Sequence, residues 1–193
     1  MGIVYGVGIR ESGEYAVSNN GKHTTVYTLW KNMLARCYSK VSLKNRPTYI
    51  GCEVSGDFLY FQKFAHWYSS QPKAEGVEYQ VDKDLLVKGN KIYSENYCVL
   101  VPRKVNMFLC KSNSVRGQWP IGVSFDKRSE KFIAQMHNRE IGYLGSYTNP
   151  TSAYLAYKSA KELAAKKLAR DYQGRCDERV IEALLAYTVE ITD

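Results

Sequence analysis

Apolar positions along this chain change period several times, and each change marks an element. From Thr25 to Tyr38 they recur at helical spacing: Leu29, Trp30, Met33, Leu34 and Cys37 share one stripe, with Lys31, Asn32 and Arg36 opposite. A second helix is expected from about Phe58 to Tyr68, with Phe61, Phe64, Ala65 and Tyr68 on its apolar face, Asp57 as cap and Pro72 as stop. The period then falls to two. Tyr79-Gln-Val-Asp-Lys83 reads as a strand, Gly89-Asn90 as a turn and Cys98-Val-Leu-Val101 as a second strand. Pro102 to Leu109 fits a short helix with the proline in its first turn. Residues 1–23, rich in Gly, Ser and Asn, are expected to hold one weak hairpin. Gly6 and Gly8 lack the third glycine and the preceding strand that a phosphate loop needs.

Residues 111–118 are polar and weakly patterned, so a linker and a domain boundary are expected there. Beyond them three short alternating runs follow: Pro120 to Phe125, Lys131 to His137, and Ile141 to Gly145, the first two joined by the polar turn 126–130. Asn149-Pro150 then opens an alanine-rich helix reaching about Arg170. Gln173-Gly174 breaks the chain, and Asp177 can cap a last helix with a stripe of Val180, Ile181, Leu184 and Leu185. That stripe must be covered by the first domain or by a second copy of the chain, in which case the protein is a homodimer. The whole reads as α+β, with domains over 1–110 and 111–193.

Charge sharpens this division. The net charge is +8, yet residues 103–170 carry 13 Lys and Arg against 4 Asp and Glu, while residues 171–193 carry 2 against 6. A basic block beside near-neutral and acidic flanks suits a polyanion, with nucleic acid the first partner to consider. The bland alternative is a solvated helix face formed by Lys158, Lys161, Lys166 and Lys167. The five cysteines are scattered and odd in number, which fits a reducing compartment rather than a disulfide framework. No apolar run approaches membrane-spanning length and the first residues lack a signal-peptide pattern, so a cytoplasmic protein with no membrane partner is expected.

The matches Gly122-Val123, Phe132-x-Ala134, Tyr143-Leu144-Gly145-Ser146-Tyr147, Ala153 and Ala156-Tyr157 carry a resemblance. The second domain resembles the Apetala-type, or ethylene-response-factor, DNA-binding domain, which also occurs in phage and mobile-element proteins. It implies a three-stranded antiparallel sheet with one face on the helix and the other in the major groove of double-stranded DNA. Alternation turns Val123, Phe125, Phe132, Ala134, Met136 and Leu144 inward, and Ser124, Lys131, Ile133, Gln135, His137, Ile141 and Tyr143 outward. Ser124 and His137 sit where the family has base-contacting arginines, Gln135 where it has a glutamate and Tyr143 where it has a tryptophan. The family's plant target is therefore not implied. Gln135 suits adenine and His137 a guanine edge. Lys127, Arg128, Lys131 and Arg139 are the expected phosphate anchors.

The first domain carries Trp30-x-x-Met33-x-x-Arg36-Cys37-Tyr38, Tyr49-x-x-Cys52-x-Val54, Phe61-x-x-Phe64-x-x-Trp67 and Val81-Asp-Lys-Asp-Leu-Leu-Val-Lys-Gly-Asn-Lys-Ile-Tyr93, then Cys98 and Asn106. It resembles the HNH-endonuclease-like proteins of phages, which implies a ββα-type site around one divalent metal. The matching positions are Asp82, Lys83, Asn96 and Asn106, with Asp82 and Asn106 as ligands of Mg2+ or another divalent ion. Lys83 stands where the family has its general-base histidine. A lysine of ordinary pKa, about 10.4, is protonated at neutral pH and cannot take a proton from water. Asp82-Lys83-Asp84 is thus a degenerate site, a site using Asp84 as base, or a salt-bridged turn. Zinc on Cys37, Cys52 and Cys98 is not expected, for want of Cys-x-x-Cys spacing and a fourth ligand. Three functions follow: a DNA-binding protein of phage or mobile-element type with a degenerate nuclease-like domain, an active metal-dependent endonuclease, and a phage factor that blocks a host protein.

Overall fold

The computed structural model describes residues 1–110, 118–136 and 142–191 of the chain. It is a mixed α+β protein whose chain divides into two compact units, Met1–Asn106 with Gly174–Val180, and Met107–Gln173 with Ile181–Asp193. Most of the expected linker, 111–117, lies outside the described residues. None of the described helices is long and apolar enough to cross a membrane.

The first unit opens on two hairpins rather than one, β1 (Gly2–Val4) with β2 (Gly8–Arg10) and β3 (Ser18–Asn19) with β4 (Lys22–His23). Gly8 lies so close to α1 (Thr25–Tyr38) that a Cβ there would sit 2.3 Å from Leu34 Cδ1. Thr24 caps α1 by accepting from the Tyr27 amide at 3.3 Å. Its stripe buries Trp30, Met33, Leu34 and Cys37 as the spacing predicts, and Tyr27 in addition. α2 (Lys40–Asn45) follows at once, capped by Ser39, and has no buried residue, so no apolar period announced it. The aromatic core joins α1 to α3 (Phe61–Ser70): Phe58, Phe61, Phe64 and Trp67 are buried, and the Trp30 indole N–H donates to the Phe58 carbonyl at 2.8 Å. Burying each such ring contributes about 1.5–3 kcal/mol.

Two details differ from expectation. Asp57 does not cap α3; it starts a short 3-10 turn, Asp57–Leu59, four residues before the helix, and pairs with Lys63 at 2.5 Å. Pro102 ends a strand rather than starting a helix, and the next amide, Arg103, donates to the Glu78 carbonyl. β6 (Tyr79–Asp82) and β8 (Val99–Pro102) form an antiparallel pair with Gln80 opposite Val101 and Asp82 opposite Val99, and α4 (Arg103–Leu109) follows directly. Between them in sequence, β7 (Ile92–Tyr93) pairs in parallel with β5 (Glu53–Val54). Two-residue strands carry no readable period, so this pairing had no local signal.

In the second unit β9 (Val123–Asp126), β10 (Lys131–Gln135) and β11 (Tyr143–Tyr147) form a three-stranded antiparallel sheet with β10 central. One face packs on α5 (Pro150–Tyr172), which begins where Asn149 Oδ1 accepts from the Ser152 amide at 2.8 Å. Gly122 precedes the sheet at φ +76°, and a Cβ there would meet the Tyr157 ring at 2.0 Å. Glycine is therefore required for both backbone and space. α6 (Glu178–Leu185) follows the Gly174 break, with Asp177 Oδ1 accepting from the Arg179 amide. Val180, Ile181 and Leu184 of that stripe are buried and Leu185 is 51% exposed.

Candidate nucleic-acid interface and carboxylate centre

The sheet of the second unit has two unlike faces. On the α5 side Ala134 and Met136 are buried, and Val123 and Leu144 pack with Tyr154, Tyr157 and Ala164. Leu144 turns inward as the alternation from Tyr143 expects, and the register shifts beside it: Gly145 opposes Ala134 while Tyr143 opposes Gln135, leaving Leu144 as the extra residue of a bulge. Phe125 and Phe132 depart from the expected core. With Trp119 they form a separate aromatic group, rings 4.8 to 6.1 Å apart, and Phe125 stays 39% exposed. α5 lies mainly over β10 and β11, so β9 is covered less.

On the opposite face Ile133 lies between Ser124 and Ser146, Lys131 opposes Asp126, and Gln135 opposes Tyr143. Lys131 and Gln135 are exposed, Tyr143 is 67% exposed and Ser124 is half-buried. The turn projects Lys127 and Arg128 into solvent. Asp126 holds it, accepting from Ser129 Oγ at 2.6 Å and from the Arg128 amide at 3.1 Å. The Ser129 bond first, then the amide, keeps the Asp126 carboxyl below its ordinary pKa. Among the described residues the side chains of Lys127, Arg128 and Lys131 form no ion pair. His137, Arg139 and Ile141 lie outside the described residues. Ser146 belongs to this face and was missed; strict alternation from Tyr143 would turn it inward, and the extra residue of the bulge is what brings it opposite Ile133.

Of the four helix lysines Lys166 is exposed, as a solvated face would have it, while the other three have protein partners. Lys158 pairs with Glu162 at 2.8 Å and also donates to the Val189 carbonyl. Lys167 pairs with Asp171 at 2.9 Å. Lys161 is half-buried, donates to the Phe108 carbonyl at 2.6 Å and lies 3.8 Å above the Phe108 ring. Burial lowers its pKa to about 8.

In the first unit the loop between β6 and β7 gathers Asp82, Lys83 and Asp84. Asp82 Oδ1 accepts from the amides of Asp84 at 2.9 Å and Leu85 at 2.7 Å. Burial first, then the Asp84 charge, raise its pKa. Lys83 is only 6% exposed. Its ammonium donates to the Asn90 carbonyl at 2.9 Å, pairs with Asp84 Oδ2 at 3.2 Å, and lies 5.9 Å from the ring centres of Tyr49 and Tyr93. Arg36 also stands 5.5 Å from the Tyr49 ring. Asn90 clamps the loop: its Nδ2 donates to the carbonyls of Lys83 and Ile92, each at 2.7 Å, and its Oδ1 accepts from the Ile92 amide. Asn96, where the resemblance puts a pinning residue, is exposed in a turn and makes no hydrogen bond to either aspartate among the described residues. Asn106 reaches β6 but bonds Gln80 Oε1. Tyr49, Asn90 and Tyr93 are the residues that sequence reasoning missed as partners of Lys83.

These commitments do not fit a divalent ion at Asp82 and Asn106. One Asp82 oxygen holds two amides, Asp84 holds an ammonium, and Asn106 is bound to Gln80. Among the described residues no group of three His, Cys, Asp or Glu side chains is placed to hold a metal. Cys37, Cys52 and Cys98 are buried and do not form such a group either; burial pushes the thiols of Cys37 and Cys98 up to about 12. No family model, curated protein or solved structure matches this chain.

Proposed function

We propose that the protein binds double-stranded DNA, with the outward face of β9, β10 and β11 entering the major groove in the manner of an Apetala-type domain. The observation that carries this reading is the polar face of the sheet away from α5, where, among the described residues, Lys127, Arg128 and Lys131 have no ion pair. Cations without internal partners are the ones able to displace counterions from phosphates. Gln135 and Tyr143, side by side across the register, present a hydrogen-bonding edge and a phenol to bases. Phosphate contacts from the hairpin tip set position, and the strand residues read sequence. The first unit is a nuclease-like scaffold that has lost its chemistry, since the Lys83 ammonium is held by Asp84 and Asn90 and has no role as a base. Metal-dependent cutting is the lesser reading for the same reason.

Fluorescence anisotropy on random-sequence duplexes at rising salt tests this. With about five to seven phosphates neutralised, the slope of log K against log salt is expected near −5 to −6. A flat response would reject the proposal.

A further inference from the structure

We infer that the Lys83 ammonium is the cation around which the 82–92 loop closes, occupying from within the chain the place beside Asp84 and the Asn90 carbonyl that those oxygens would otherwise leave open to a divalent ion. The inference concerns the first unit alone and holds whether or not the second unit binds DNA.

The loop places two carboxylates two residues apart, tied together by the Asp84 amide on Asp82 Oδ1 at 2.9 Å. Two neighbouring anions in a partly closed loop need a counter-charge. Lys83 provides one from an almost fully buried side chain, 3.2 Å from Asp84 Oδ2 and 2.9 Å from the Asn90 carbonyl. A carboxylate oxygen and a backbone carbonyl are also the oxygen ligands a hard divalent ion selects. The tyrosine rings complete the surroundings, since aromatic faces favour an ammonium. The partners span the loop: Asp84 opens it and Asn90 closes it, while the Asn90 amide bonds back to the Lys83 carbonyl at 2.7 Å. Residue 83 thus crosslinks both ends of the loop through its main chain and its side chain. A surface salt bridge would do neither, because its ammonium would stay in water.

Without the lysine side chain, Asp84 and the Asn90 carbonyl would face a vacated space that a small divalent ion can enter. The full-length chain is melted in excess EDTA and in millimolar manganese, and manganese uptake is followed from the spectrum of the free aqua ion. The wild type is expected to melt at the same temperature in both solutions, and its uptake is expected to be unchanged by Asp82→Asn with Asp84→Asn. Lys83→Ala is expected to melt several degrees lower in EDTA, with manganese restoring most of the loss and binding in a manner abolished by Asp84→Asn. Lys83→Gln, which keeps a donor to Asn90 but no charge, replaces Lys83→Ala if that variant does not fold. Manganese stabilisation of the wild type that Asp82→Asn or Asp84→Asn removes would overturn the inference. So would a Lys83 variant that melts like the wild type, or a loss that manganese does not restore.

Discussion

Lys83, just after β6, and Lys131, at the start of β10, both lie beside an aspartate, and they meet opposite fates. Lys83 is buried, with a carboxylate, a carbonyl and two aromatic rings around it. Lys131 stands exposed on its sheet, and the aspartate opposite, Asp126, binds the turn instead. The first arrangement closes on itself and offers little to a ligand; the second leaves its charge available. Net charge counts both lysines equally, so the number of cations in a segment is a weak guide to the number a partner can use. The helix cations teach the same lesson, because Lys158, Lys161 and Lys167 already have protein partners.

The largest test of the contrast within the second sheet uses adjacent residues. Ala134→Asp places a charge against α5 with nothing to pair it and is expected to destabilise the second unit by about 3–5 kcal/mol in denaturant unfolding. Gln135→Ala, one residue on, is expected to leave unfolding within about 0.5 kcal/mol of wild type while relaxing base preference at one position. Equal losses of stability would show that both faces are buried.

Next in size is the removal of the cations that have no ion pair among the described residues. The combined Lys127→Ala, Arg128→Ala and Lys131→Ala variant is expected to lose about a hundredfold in duplex affinity at moderate salt, with the salt slope shallower by about 3. Lys167→Ala, whose charge is already matched by Asp171, is expected to lose less than about threefold. Similar losses for the two variants would mean that internal pairing does not decide availability.

The smallest effect is a pH dependence. Burial holds the folded-state pKa of Lys161 near 8, below its unfolded value. Between those values the unfolded chain binds the extra proton, so the contribution of this group to stability rises with pH across that window. The Phe108 carbonyl and ring favour the charged form, and the side chain is only half-buried, so about 1 kcal/mol is expected. The check is denaturant unfolding at about pH 7.5, below that window, and at about pH 9.5, within it. Wild type should gain relative to Lys161→Met.

Much of this protein is determined by the sequence alone. The burial of Trp30, Met33 and Leu34 on α1, the alternation of Ala134 and Gln135 on β10 and the Asn149-Pro150 start of α5 follow from backbone period and capping chemistry, which act over a few residues. Tertiary structure decided the rest: the β5 and β7 pairing, the Leu144 bulge, the Asn106 bond to Gln80, and which cations stay in water. Those outcomes depend on distances between groups remote in sequence. Tyr49 meets Lys83 and Phe108 meets Lys161 only once the chain has folded, and no local pattern encodes such a separation.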